Sequence, residues 1–255
     1  MIVFWSGLAL IVAAGVAGVL ARRSPLGEMA YVTLILVGCA AAALDPIRTL
    51  ASGSTAAVVV PSTLPGGALV FGIDALSAVF LLVTLAVGAL CAVYGAGLLR
   101  TPHHSPRECE PTIQWAPALA RGWFALLIAA IVLLLVARSV TTFLIAWEVM
   151  AVSSYLLIVT DHQLADVRRS GLIYFVATHT ATLALFAMFA LLTTDGNDWS
   201  FDTIARGAVA LSPGVTGVVL SLGLLAFGVK AGVVPFHFWL PPAHSAAPSH
   251  VSALM

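Results

Sequence analysis

Charge is what this sequence has least of. Asp, Glu, Lys and Arg make up 9% of the 255 residues, 11 acidic against 11 basic, and only one of the basic residues, Lys230, is a lysine. A chain with no net charge offers no electrostatic footprint for nucleic acid. Cysteine is nearly as scarce. Cys39, Cys91 and Cys109 form no CxxC pair, and the first two lie in apolar runs, where they read as packing residues. A disulfide framework, a zinc framework and an iron–sulfur cluster are thereby excluded as expectations. There is no GxGxxG-type loop to hold a dinucleotide. No redox centre, metal or other cofactor is expected, and no catalytic centre of the chain's own.

What is abundant is apolar surface. Hydrophobic residues are 61% of the chain and mean hydropathy is +1.07, against about 45–50% apolar residues in soluble domains. Runs of about 18 or more apolar residues mark membrane spans. Such runs cover 2–20, about 29–44, about 73–99, 122–137, 140–160, about 170–193, and one from near Val215 to the Lys230–Pro235 region. Residues 51–67, rich in Gly, Ser, Pro and Ala, read as a loop. Residues 100–121 form the most polar segment, and 194–206 a polar connection. After the Pro-rich "HFWLPPAHSAAPSH", "VSALM" begins another apolar run. The expected fold is an all-α polytopic transmembrane bundle of about seven spans plus the start of an eighth. Arginine counts set its orientation: with the N-terminus outside, the inner loops hold Arg22, Arg23, Arg100, Arg107, Arg121, Arg168 and Arg169, and the outer ones Arg48, Arg138 and Arg206.

Three ionisable groups fall well inside apolar runs: Glu148, His179 and Lys230. A lysine or carboxylate at the centre of a span costs roughly 2.5–3.5 kcal/mol on insertion scales, so such groups face the bundle interior, pair, and mark ion or proton paths. Lys230 carries the stronger signal. Pro235 removes a helical N–H, and Gly228 and Gly232 bracket the lysine and loosen the helix. A broken helix at membrane depth is tolerated only where protein or a water-filled cavity meets it. Lysine, unlike arginine, can release its proton when desolvated. Glu148 lies near mid-depth of its helix, with Val152 and Tyr155 on its face. His179, among Thr178, Thr180 and Thr182, fits a structural histidine or a relay equally well. His237, His244 and His250 are separated by prolines and fit no compact metal-ligand set, whereas His244 and His250, flanking the next helix, suit proton relay. Asp74, opening the third span, reads as a helix-start carboxylate.

Two stretches carry a family resemblance. "LIAWEVMAVSSYLLIV" (144–159) resembles the fifth helix of the antiporter-related subunits shared by respiratory complex I, Mrp-type cation/proton antiporters and membrane-bound hydrogenases, where a glutamate sits in a W-E-x-M pattern. "GLLAFGVKAGVVPFHFWLPPAHSAAPSHVSALM" (223–255) resembles that family's broken seventh helix and the loop into the eighth, and its "AAPSHVSALM" is closest to hydrogenase-4 and formate-hydrogenlyase type subunits. The resemblance implies a fold of about fourteen helices with two inverted five-helix repeats. It divides this chain into 1–120, three N-terminal helices and the polar loop, and 121–255, the first part of a proton-translocating domain. It further implies that Glu148 and Lys230 form a coupled pair, within an integral subunit of a bacterial-type inner-membrane complex. The expected partners are other membrane subunits, the lipid bilayer, and protons or sodium. Two alternatives stand beside it: an antiporter subunit, or a half-length scaffold that transports nothing.

Overall fold

The computed structural model describes residues 1–20, 24–100, 116–193 and 198–255, so parts of the polar segment and the 194–206 connection, with Arg22, Arg23 and Arg107, lie outside the described residues. Helix α1 (Ile2–Leu20) and α2 (Pro25–Ser52) form an antiparallel pair. Their backbones touch: a Cβ added to Gly38 would lie 2.9 Å from the Gly7 carbonyl oxygen. Small residues permit such an approach where apolar lipid gives helices no hydrophobic reason to associate. α2 outruns the 29–44 apolar stretch at both ends. Pro25 takes the first helical position, where its missing N–H costs nothing, and the helix runs through Pro46 until Gly53, at φ 66°, donates to Thr49 O. Asp45, just before Pro46, accepts the Phe4 N–H at 3.1 Å and so ties this end of α2 to α1.

The bundle is helical as expected, while residues 51–67 were expected to be loop. Instead Ala56–Val60 (β1) and Leu69–Ile73 (β2) pair antiparallel, with Ala56 opposite Ile73 and Val60 opposite Leu69. The β-branched run AAVVV and the half-buried LVFGI suit a pleated pair. β2 carries the order further: Arg138 N–H donates to Val70 O at 2.8 Å, and Val140 N–H to Trp199 O at 3.0 Å. The hairpin and the 198–201 segment thereby clamp residues 138–140 from two sides.

Asp74 then starts α3 (Ala75–Arg100) as the sequence suggested, its Oδ1 accepting the Ser77 N–H at 2.7 Å. Its Oδ2 also meets Arg138 Nη2 at 2.7 Å, an ion pair the apolar pattern gave no sign of. The Ser77 backbone N–H chiefly, and Arg138 with it, hold the Asp74 carboxyl below the usual carboxylate range.

Helices α4 (Ala116–Val136), α5 (Val140–Ile158) and α6 (Ala165–Leu192) follow, joined after α5 by a 3₁₀ turn, Val159–Asp161. α4 packs on α1, α3 and α5, so the bundle is continuous from its first helix. The short α7 (Phe201–Ala208) is capped by Ser200, and α8 (Pro213–Ala231) by Ser212 with Pro213 in its first turn. α8 breaks, passes through a 3₁₀ turn (Phe236–Trp239) and resumes as α9 (Leu240–Ala246), with a last turn, α10, at Ser249–Ser252. Among the described residues seven helical segments, the broken Pro213–Ala246 segment included, are long and apolar enough to cross a membrane. The protein is an integral membrane protein.

Candidate functional site

The break in α8 is built by Gly232. At φ 67° it occupies the left-handed region that side chains avoid. Its N–H bonds Val229 O at 3.2 Å while the Val233 N–H bonds Gly228 O at 3.0 Å. That double bond pattern is a Schellman cap, which satisfies carbonyls the helix end would otherwise leave open. Val229 O also receives the Trp239 indole N–H at 2.7 Å, across the break. The helix therefore ends four residues before Pro235, with the Gly228 and Val229 carbonyls bonded across its end.

Lys230 lies in the last turn of α8, with its ammonium 5.7 Å from the centroids of both Trp147 and Tyr174 and 3.5 Å from the Tyr174 hydroxyl. Tyr174 is fully buried and Trp147 nearly so, and Tyr174 meets Trp239 edge-on at 5.4 Å. The indole N–H of Trp147 is spent on Thr182 Oγ1 at 3.1 Å, which fixes the ring's plane. A cation over aromatic faces gains about 0.5–1 kcal/mol when exposed and about 2 when desolvated. Two rings and a hydroxyl thus meet the ammonium, and among the described residues it makes no ion pair. Trp147 and Tyr174 were not singled out from sequence; within apolar runs their rings look like packing.

Glu148 follows Trp147, and consecutive helical residues point about 100° apart. Where Trp147 turns to Lys230, Glu148 turns to α6. Its Oε2 lies 3.5 Å from His179 Nε2, and its Oε1 is buried without a hydrogen-bond partner among the described residues. The other ring nitrogen of His179 is 3.0 Å from Phe175 O, and its ring stacks on Phe175 at 3.9 Å. Glu148 also borders an apolar groove of about 640 Å³ between α5 and α6, lined by Leu144, Ile145, Phe186 and Phe189. Glu148 and Lys230 make no ion pair with each other among the described residues: the one meets His179, the other Tyr174 and the ring of Trp147.

The remaining candidates lie elsewhere. His244, on α9, bonds Ser252 Oγ at 2.7 Å and so links α9 to α10. His250 is buried against Phe124 of α4 (5.2 Å between rings) and against Gly95 of α3, whose added Cβ would meet its ring at 2.9 Å. Gly228 packs its helix against the Phe236 ring.

A bundle of spanning helices in which one span is broken near its lysine defines a polytopic membrane subunit. Residues 137–255 match the family described as NADH:quinone oxidoreductase/Mrp antiporter, TM. That part of the chain belongs to the antiporter-like membrane-subunit family. An uncharacterized protein of Mycobacterium tuberculosis is 38% identical over 185 residues, covering 72% of this chain and 26% of its own length. Hydrogenase-4 component B of Escherichia coli is 33% identical over 183 residues, covering 71% of this chain and 25% of that protein. The chain therefore spans about a quarter of the length of these relatives. Among solved structures, a chain of the membrane-bound sulfane sulfur reductase, an archaeal respiratory membrane complex, superposes with a TM-score of 0.77 at 20% identity, over 96% of this chain and 37% of that one. At that identity the likeness concerns the fold.

Proposed function

We propose that this chain is part of a proton-translocating membrane subunit of a hydrogenase-4-like or complex I-like respiratory complex, seated in a bacterial inner membrane with its N-terminus outside and its arginine-rich loops inside. Residues 121–255 form the first part of its translocating domain, and residues 1–120 pack beside it. The observation that carries the reading is the single lysine, placed at the break of a spanning helix and held, among the described residues, by aromatic faces and not by an anion. Such a lysine keeps its charge through weak, adjustable contacts, so a modest local change can make it give up its proton. Glu148, one residue from Trp147, biases it: where the proton near its carboxyl sits alters the field at Lys230, and Trp147 transmits any shift of α5 to the ammonium. Moving one charge across 100 mV takes about 2.3 kcal/mol, comparable with the contacts that hold the lysine.

Similarity to the NADH:quinone oxidoreductase/Mrp antiporter family also supports cation/proton antiport as a second reading, with the same two residues exchanging a proton against sodium. The test is proton uptake into vesicles carrying the complete complex, with Lys230→Ala and Glu148→Gln. Loss of uptake in both, with the complex assembled, supports the proposal. Undiminished uptake in Lys230→Ala rules it out, and uptake that depends on sodium moves the reading to antiport.

A further inference from the structure

We infer that Glu148 and His179 hold one proton between them, so that His179, and not Lys230, is the group that exchanges a proton with Glu148 directly. This rests on the proton-carrier reading above and names a residue for it.

The argument begins at the far side of the imidazole. Phe175 O is a carbonyl and can only accept, so the 3.0 Å contact with His179 Nδ1 is a hydrogen bond only if Nδ1 carries the proton. Nε2, facing Glu148 Oε2 at 3.5 Å, is then either a bare lone pair or the second N–H of an imidazolium. A bare nitrogen facing an ionised carboxylate would be two acceptors opposed. Two arrangements remain: a protonated Glu148 donating to Nε2, or a carboxylate accepting from the imidazolium. They differ by one step. The O–H bond at Oε2 breaks, an N–H bond forms at Nε2, and the pair keeps its one proton and its overall neutrality.

The surroundings favour a shared proton over a fixed one. The Nδ1–H bond to Phe175 O is kept in both states, so the ring need not turn. The Phe175 face stacked on the imidazole at 3.9 Å supports a positive ring. Oε1 has no partner among the described residues, so the carboxyl has no second bond to pin it in one form. At 3.5 Å the pair is in an open geometry, and closing by roughly 0.6–0.8 Å reaches the charge-assisted range of about 2.7–2.9 Å. A side-chain torsion of a glutamate that is 31% exposed allows that movement. The other titratable groups near α5 have different partners: Lys230 lies over the Trp147 ring, and the Tyr155 ring meets Phe175 at a tilt, 5.1 Å between centroids.

The experiment uses the complete complex in its membrane, followed by infrared difference spectroscopy at neutral pH, with Glu148→Gln identifying the Glu148 carboxyl band, alongside proton uptake. His179→Phe removes the acceptor while keeping a stacked ring. The protonated-carboxyl band of Glu148 is expected to rise, and uptake to fall on the order of 100-fold, the scale of a lost acid–base group. His179→Lys restores an acceptor and is expected to reverse the band and recover part of the uptake, which a merely structural histidine would not do. His179→Gln, a smaller disturbance to packing, gives the same band change if His179→Phe does not assemble. An unchanged Glu148 band in both His179→Phe and His179→Gln overturns the inference. If Lys230→Ala abolishes uptake while the band is unmoved, the proton-carrier reading survives and this pair does not. If Lys230→Ala leaves uptake intact, that reading fails while the band still decides the pair.

Discussion

The two glycines that flank Lys230 are expected to respond to the same substitution with opposite sign. From sequence both loosen the helix; in the structure they do different work. Gly228 sits within α8 in ordinary helical conformation, and a Cβ there would meet Phe236 Cδ2 at 3.4 Å, an ordinary van der Waals contact. Gly228→Ala should therefore gain about 0.5–1 kcal/mol, the helical preference of alanine over glycine. Gly232 holds φ 67°, which costs a side-chain-bearing residue roughly 1–2 kcal/mol. Its Cβ would also come within 2.6 Å of Leu240 Cδ1, the tip of a side chain that can turn away at small further cost. The two variants should thus differ by about 1.5–3 kcal/mol, a factor of roughly 13 to 160 in the unfolding constant, from the helix preference and the left-handed cost together. Reversible unfolding in mixed micelles of increasing SDS content, read by helical circular dichroism, measures that difference. Proton uptake by the same variants should be lower for Gly232→Ala, because its cap fixes where the last turn carries Lys230. Equal destabilisation by both substitutions, or a neutral Gly232→Ala, would refute the assignment of the break to Gly232.

Other expectations follow from the contacts. Tyr174→Phe keeps the ring under Lys230 and deletes only the 3.5 Å hydroxyl contact, so assembly should be normal and uptake reduced several-fold, whereas Trp147→Leu, which removes a whole ring and its bond to Thr182, should cost more in the same assay. Asp74→Asn leaves a competent helix cap but removes the ion pair to Arg138; with both side chains a third or more exposed, the loss should be about 0–1 kcal/mol, while Asp74→Ala adds about 1 kcal/mol for the cap, measured by the same SDS titration. Asp74 and Asp198 are both held below the usual carboxylate range, Asp198 chiefly by the Thr203 hydroxyl and then by the Ser200 N–H. Their contribution is therefore present above about pH 4 and lost as pH falls through their lowered values, so the Asp74→Ala and wild-type stabilities should converge in acid and separate towards neutral pH. Gly38→Val should drive α1 from α2, because the new Cβ meets the Gly7 carbonyl, and should lower the recovered folded fraction.

Spans and the broken helix were legible in the sequence because both are local. Length and hydropathy mark a span, and a glycine and a proline around a buried lysine mark a break. The β1–β2 hairpin was not, since its pairing depends on register across the Gly and Pro residues that made 51–67 read as loop. Helical periodicity placed Val152 and Tyr155 on the face of Glu148, but it says nothing of how α5 is turned towards α6. His179, 31 positions away, could be named as a candidate and not as a partner. The aromatic cradle of Lys230 was hidden for a similar reason: Trp147, Tyr174 and Trp239 come from three helical segments and converge only once those segments pack.

The central claim is that Lys230 gives up its proton rather than merely supplying a positive charge. Lys230→Arg separates the two, because a guanidinium stacks on Trp147 and Tyr174 and carries the charge but does not deprotonate in a protein. Proton uptake by vesicles bearing the complete complex with Lys230→Arg is the measurement to make. The account predicts loss of uptake as deep as in Lys230→Ala, with the complex assembled; uptake at the wild-type rate would contradict it and leave Lys230 a fixed charge.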